Sequence, residues 1–64
     1  MTGTIKSLFA DKGFGFIKGE DGKDYFMHRS ACKNCKIDEL GVGQEVTFEE
    51  DEGPKGPRAE DVYV

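Results

Sequence analysis

The sequence predicts an all-β fold, a small antiparallel barrel of five strands. Three observations carry that expectation: five short segments of strand-forming composition, glycine-containing turns between them, and no helical period sustained over ten residues. Closing such a sheet on itself removes the exposed edges that endanger short strands. With 64 residues, 36% of them hydrophobic, the chain is expected to make one domain over residues 1–64 around a small core.

The elements follow in order. Thr2 to Phe9 mixes β-branched and apolar residues and forms the first strand, ended by the turn Ala10-Asp11-Lys12-Gly13. Phe14 to Lys18 is the second strand, and Gly19-Glu20-Asp21-Gly22-Lys23 is a hairpin loop leading to a third strand, Asp24 to His28. Arg29 to Gly43 shows neither period, apart from a single helical turn beginning at Ser30 with that residue as its cap. A connection this long in so small a domain is functional or mobile. Gln44 to Glu50 alternates, with Val46 and Phe48 set against Glu45, Thr47 and Glu49, and Asp51 to Gly56 turns the chain into a last strand, Arg58 to Val64.

The most informative segment is Lys12-Gly13-Phe14-Gly15-Phe16-Ile17. Side chains alternate across a strand, so Phe14, Phe16 and Lys18 share one face while Gly13, Gly15 and Ile17 take the other. Burial is the ordinary fate of a phenylalanine in a short chain. Glycine within a strand, however, gives up packing and marks a bend or a close backbone approach. Glycines facing inward at a tightly curved wall leave Phe14 and Phe16 outside as an aromatic patch. In Tyr25-Phe26-Met27-His28, Phe26 and His28 likewise share a face. Flat rings edged by lysine suit unstacked bases, since every base has a π-face and every nucleotide a phosphate.

Charge is unevenly divided. Residues 1–36 carry seven basic and four acidic residues, net +3, whereas residues 37–64 carry two and nine, net −7. Every phenylalanine except Phe48 lies in the basic part. The overall charge of −4 argues against indiscriminate nucleic-acid affinity. The acidic run Glu49-Glu50-Asp51-Glu52 reads as a solvated turn that also repels phosphates from its side of the molecule. No apolar run opens the chain, so neither a signal peptide nor a membrane span is expected, and the protein is placed in the cytoplasm.

Thr4-Ile5-Lys6, Ala10-Asp11-Lys12-Gly13-Phe14-Gly15-Phe16-Ile17, Asp24-Tyr25-Phe26-Met27-His28, Ser30-Ala31 and Lys55-Gly56-Pro57-Arg58-Ala59 occur in the order and spacing of the bacterial cold-shock domain, which this chain resembles over nearly its whole length. The resemblance implies a five-stranded antiparallel OB-fold barrel that binds single-stranded RNA and DNA, loosens RNA secondary structure, works as a monomer and performs no catalysis. It assigns base stacking to Phe14, Phe16, Phe26 and His28, backbone or base-edge contacts to Lys6, Lys12 and Lys55, and a hydrogen-bonding place to Asp24. Two departures weaken the platform. Where the family carries Lys-Trp-Phe-Asn the chain has Lys6-Ser7-Leu8-Phe9, and the aromatic that follows the third-strand histidine is Arg29, which stacks through its planar guanidinium or meets a phosphate. Two lost stacks correspond to about 2–6 kcal/mol if nothing replaces them. Phe9 compensates if the first strand bulges; burial is its alternative.

Cys32-Lys33-Asn34-Cys35, four residues after His28, has the spacing of half a zinc site or of a redox pair. Structural zinc takes four ligands, and no further cysteine or histidine exists, so plain thiols are the simpler reading and no metal or other cofactor is expected. His28 beside Phe26 reads as a stacking residue. A protein-interaction module, or a thiol- or zinc-responsive one, built on a weakened cold-shock fold remains the competing expectation.

Overall fold

The computed structural model describes residues 1–54 and 56–64 and closes their strands into a barrel ordered β1-β2-β3-β5-β4. The strands are β1 (Thr2–Phe9), β2 (Phe14–Gly19), β3 (Asp24–His28), β4 (Glu45–Gly53) and β5 (Gly56–Tyr63). Pairings β1–β2, β2–β3, β1–β4 and β4–β5 are antiparallel, and the seam between β3 and β5 is parallel, with Phe26 opposite Arg58. Directions cannot alternate all the way round a closed ring with an odd number of strands. One parallel seam is therefore unavoidable, and the antiparallel expectation holds for the other four.

Ile5, Ile17 and Tyr25 stand opposite one another on β1, β2 and β3 and form an inward row, each no more than 1% exposed. Met27, Val46, Phe48, Ala59 and Val62 complete the strand contribution, and Ala31, Ile37 and Leu40 enter from the long connection. That connection holds two 3-10 turns, Arg29–Ala31 and Ile37–Glu39. The first starts one residue before the expected position and is capped by His28, whose Nδ1 accepts the Ser30 amide at 3.2 Å; Ser30 is thus inside the turn and not its cap. The second was not expected, because one turn is too short to register as a period. Ile37 and Leu40 are nevertheless buried there, so the connection covers part of the barrel interior.

The acidic stretch expected as a turn is largely strand. Asp51, Glu52 and Gly53 pair with Arg58, Pro57 and Gly56. Gly56 takes a φ of 113° that a side chain would resist. Cross-strand partners such as Arg58 opposite Asp51 outweigh the poor strand propensity of carboxylates.

Gly15 shows why the rings of β2 face out. A Cβ added to it would lie 2.8 Å from the Ser7 carbonyl oxygen and 3.1 Å from Leu8 Cδ1, so the inner side of β2 has no room there. Gly13 and Gly15 are buried while Phe14 and Phe16 remain half-buried on the opposite face.

The Tyr25 ring is buried against Phe48, with centroids 5.0 Å apart, and its hydroxyl emerges between two carboxylates: Asp21 Oδ2 at 2.6 Å and Glu50 Oε2 at 2.9 Å. The Tyr25 hydrogen bond holds Asp21 below its ordinary pKa of 3.8, and that same bond, with burial and Glu50 adding to it, raises Tyr25 above its ordinary 10.0. The depressed Asp21 contributes stability above pH 3.8 that is lost as pH falls further; the raised Tyr25 contributes stability below pH 10.0 that is lost as pH climbs past it. Tyr25→Phe is expected to flatten both flanks of a plot of urea midpoint against pH. Flanks as steep as in the parent protein would remove this hydroxyl from the pH response.

Candidate nucleic-acid interface

The outer face is set by a bulge in β1. Ile5 pairs with Ile17 but Ser7 pairs with Phe16, so Lys6 is an extra residue on β1. Simple alternation from the inward Ile5 would turn Ser7 and Phe9 into the core. The extra residue reverses the parity, placing Leu8 opposite Gly15 against the core and Phe9 opposite Phe14 outside. Directly opposed residues share a face. Two outward rows result: Phe9, Phe14 and His28 in one, and Ser7, Phe16, Phe26 and Arg58 in the other.

The rings form one continuous patch. Phe9 and Phe14 lie 5.1 Å apart between centroids, Phe14 and Phe26 stack at 5.6 Å with 27° between planes, and Phe16 meets Phe26 at 5.8 Å and Phe14 at 6.2 Å, edge to face. These spacings fall in the favourable range for aromatic pairs, so the rings brace one another while their outer faces stay open. Phe9, which the sequence left between surface and core, is 40% exposed and belongs to the patch. His28 is exposed at the end of its row, its Nδ1 occupied by Ser30, whose Oγ lies 2.8 Å away.

The basic residues divide by surroundings. Lys6 Nζ pairs with Asp24 Oδ2 at 2.8 Å, so the expected hydrogen-bonding role of Asp24 is taken up by a neighbouring cation. Both ends are about half exposed, and such surface pairs contribute about 0–1 kcal/mol, weak enough to be exchanged for a phosphate. Lys12 is exposed on the turn between Phe9 and Phe14. Arg29 donates its amide to the Gly13 carbonyl at 2.9 Å, and its Cδ lies 3.0 Å from where a Gly13 side chain would begin, so its stem covers that glycine. Gly13 adopts a φ of 77°, which lets the chain enter β2 beneath Arg29. Lys55 lies outside the described residues.

Arg58 was not singled out from the sequence, although it stands in the string Lys55-Gly56-Pro57-Arg58-Ala59. Only the parallel seam brings it opposite Phe26. Two grooves flank Phe26: one of about 700 Å³ bordered by Phe16, Asp24, Pro54 and Pro57, and one of about 330 Å³ bordered by His28, Ser30, Ala31 and Glu60. The acidic β4 pairs with β1 and β5, not with the ring-bearing β2 or β3. Its carboxylates therefore do not adjoin Phe14 or Phe16 across a strand pair, and Asp51, opposite Arg58, is the one that comes to the border of the patch.

Cys32 and Cys35 are free, half-buried thiols packed against the core. Burial, reinforced by the adjoining Cys35, pushes the Cys32 thiol up to about 11, so it stays protonated at neutral pH and is a poor nucleophile. Among the described residues no three His, Cys, Asp or Glu side chains converge in a way that could hold a metal ion, and His28 turns to Ser30. No helix among them is long and apolar enough to cross a membrane.

A closed five-stranded barrel with a ring-bearing, cation-edged outer face defines an oligonucleotide-binding barrel of the OB class. Residues 1–64 match the family model described as the 'Cold-shock' DNA-binding domain. The chain is 52% identical over 60 residues to Cold shock protein 2 of Lactiplantibacillus plantarum, covering 94% of this chain and 91% of that protein. It is 51% identical over 65 residues to the Cold shock-like protein CspB of Escherichia coli, covering 100% of this chain and 92% of that protein. The chain belongs to the cold-shock domain family, a family of nucleic-acid-binding domains.

Proposed function

We propose that this protein binds single-stranded RNA and DNA with little sequence preference and acts in the cytoplasm as an RNA chaperone that keeps RNA unstructured, working as a monomer and without catalysis. The observation that carries this reading is the continuous patch of Phe9, Phe14, Phe16 and Phe26, extended by His28 on the outward rows of β1, β2 and β3. Each exposed ring offers a stacking face worth about 1–3 kcal/mol per base, and no base-specific hydrogen bond is needed for useful affinity. A strand spread over such a face has its bases occupied, which opposes pairing with another strand. Lys6, Lys12, Arg29 and Lys55 supply the cations for its phosphates, with Asp24 at the edge as a partner for base donors. Phe9 makes up part of the stacking lost at Ser7.

Titration of labelled oligothymidine and oligouridine at several salt concentrations, followed by backbone amide shifts, tests the proposal. Both oligonucleotides should bind, with the largest shifts at Phe9, Phe14, Phe16, Phe26 and His28. The logarithm of the affinity should fall with the logarithm of salt by about 0.7 per phosphate contacted. Absence of binding at low salt, or shifts confined to the acidic β4 side, would overturn it.

A further inference from the structure

The parallel seam puts a cation where the aromatic row ends. Ser7, Phe16, Phe26 and Arg58 stand in line across four strands, so the row that opens on the gap at Ser7 passes from its last ring to a guanidinium before it reaches Asp51 on β4. Among the described residues, Phe26 and Arg58 alone border both grooves, which makes them the ridge between the two. Nucleotides lying in neighbouring grooves are joined by a phosphate that has to cross this ridge. Phe26 offers a face for a base, and the planar fork of an arginine matches phosphate oxygens in pairs.

Arg58 is not idle in the unbound protein. Its guanidinium hydrogen-bonds the Glu60 carboxylate and lies 4.0 Å from Asp51 Oδ2, with all three side chains partly exposed. Ion pairs so open to solvent are weak enough to be exchanged for a phosphate. Glu60 also borders the smaller groove, so the pair it makes with Arg58 stands beside the strand's path.

We propose that Arg58 is a phosphate-binding residue of the single-strand site, latched by the Glu60 carboxylate until a strand displaces it. The proposal rests on the aromatic face being that site. Glu60 is then an internal competitor of the bound strand, and its effect on affinity passes through Arg58.

Four proteins test this, the parent, Arg58→Gln, Glu60→Gln and the double variant, each titrated with an oligothymidine of about eight nucleotides across a salt series. Arg58→Gln should weaken binding roughly 3- to 10-fold at low salt, the effect of one solvent-exposed hydrogen-bonded contact. It should also flatten the salt dependence by about 0.7, as expected for one lost phosphate on a single strand. Glu60→Gln should tighten binding, and that gain should vanish when Arg58 is already glutamine. A salt dependence unchanged by Arg58→Gln overturns the phosphate contact, and an equal gain from Glu60→Gln in both backgrounds overturns the latch. In either case binding by the parent protein leaves the single-strand reading standing. A parent protein that fails to bind oligothymidine removes that reading and this one with it.

Discussion

Phe14→Ala is expected to weaken binding of oligothymidine by about 3 kcal/mol, on the order of 100-fold, while leaving the salt dependence unchanged. The size follows from the position of the ring. Phe14 lies at the centre of the patch, 5.1 Å from Phe9, 5.6 Å from Phe26 and 6.2 Å from Phe16. Its loss removes one stacking face and the side support of the others, so the effect belongs at the upper end of the range for a single base stack. The salt dependence stays because a phenylalanine neutralises no phosphate. Its neighbours on the other face, Gly13 and Gly15, are untouched, so the variant should remain folded, which a thermal melt checks. A Phe14→Ala protein that binds as the parent does would show that the patch is not a stacking surface.

Ile17→Ala is expected to do the opposite, costing about 2–5 kcal/mol of folding stability. Ile17 is fully buried between Ile5 and Tyr25 in the inward row, and its Cγ2 fills the space at Gly3, where an added Cβ would lie 2.6 Å away. Truncation leaves a cavity that the tightly curved wall has little freedom to collapse. A core of this size supplies roughly 3–5 kcal/mol in all, so a large fraction of the variant should be unfolded at room temperature. Urea titration followed by circular dichroism measures it, and a loss below about 0.5 kcal/mol would contradict the packing of this row. Phe16→Ala, one residue away on the other face, should instead spare the fold and weaken binding.

The contrast between Phe16 and Ile17 was legible before any coordinates. Alternation along a strand is a local property, and inward glycines beside outward rings mark which face is closed. For the same reason Phe14, Phe26 and His28 fall on the expected side. The connection from Arg29 to Gly43 was legible only as a break in periodicity. Its turn at Ile37–Glu39 forms because Ile37 and Leu40 find the barrel interior, and that interior is assembled from distant strands. Asp51 and Glu52 were misread as turn because carboxylates are poor strand formers by themselves, and their partners on β5 lie across the hairpin.

Phe9, Arg58 and the Lys6–Asp24 pair mark where local reasoning stops. The face taken by Phe9 depends on one extra residue in β1, and a one-residue change of register exchanges inside for outside in everything that follows. Arg58 reaches Phe26 only because an odd number of strands closes with a parallel seam between segments far apart in sequence. Lys6 meets Asp24 because β1 and β3 both flank β2. By itself the sequence determined the strands, the glycine-backed rings and the separation of charge, since each follows from residue type and short-range period. The tertiary structure decided the register, the seam and the pairing of charges, because these depend on which backbones come to lie side by side when the barrel closes.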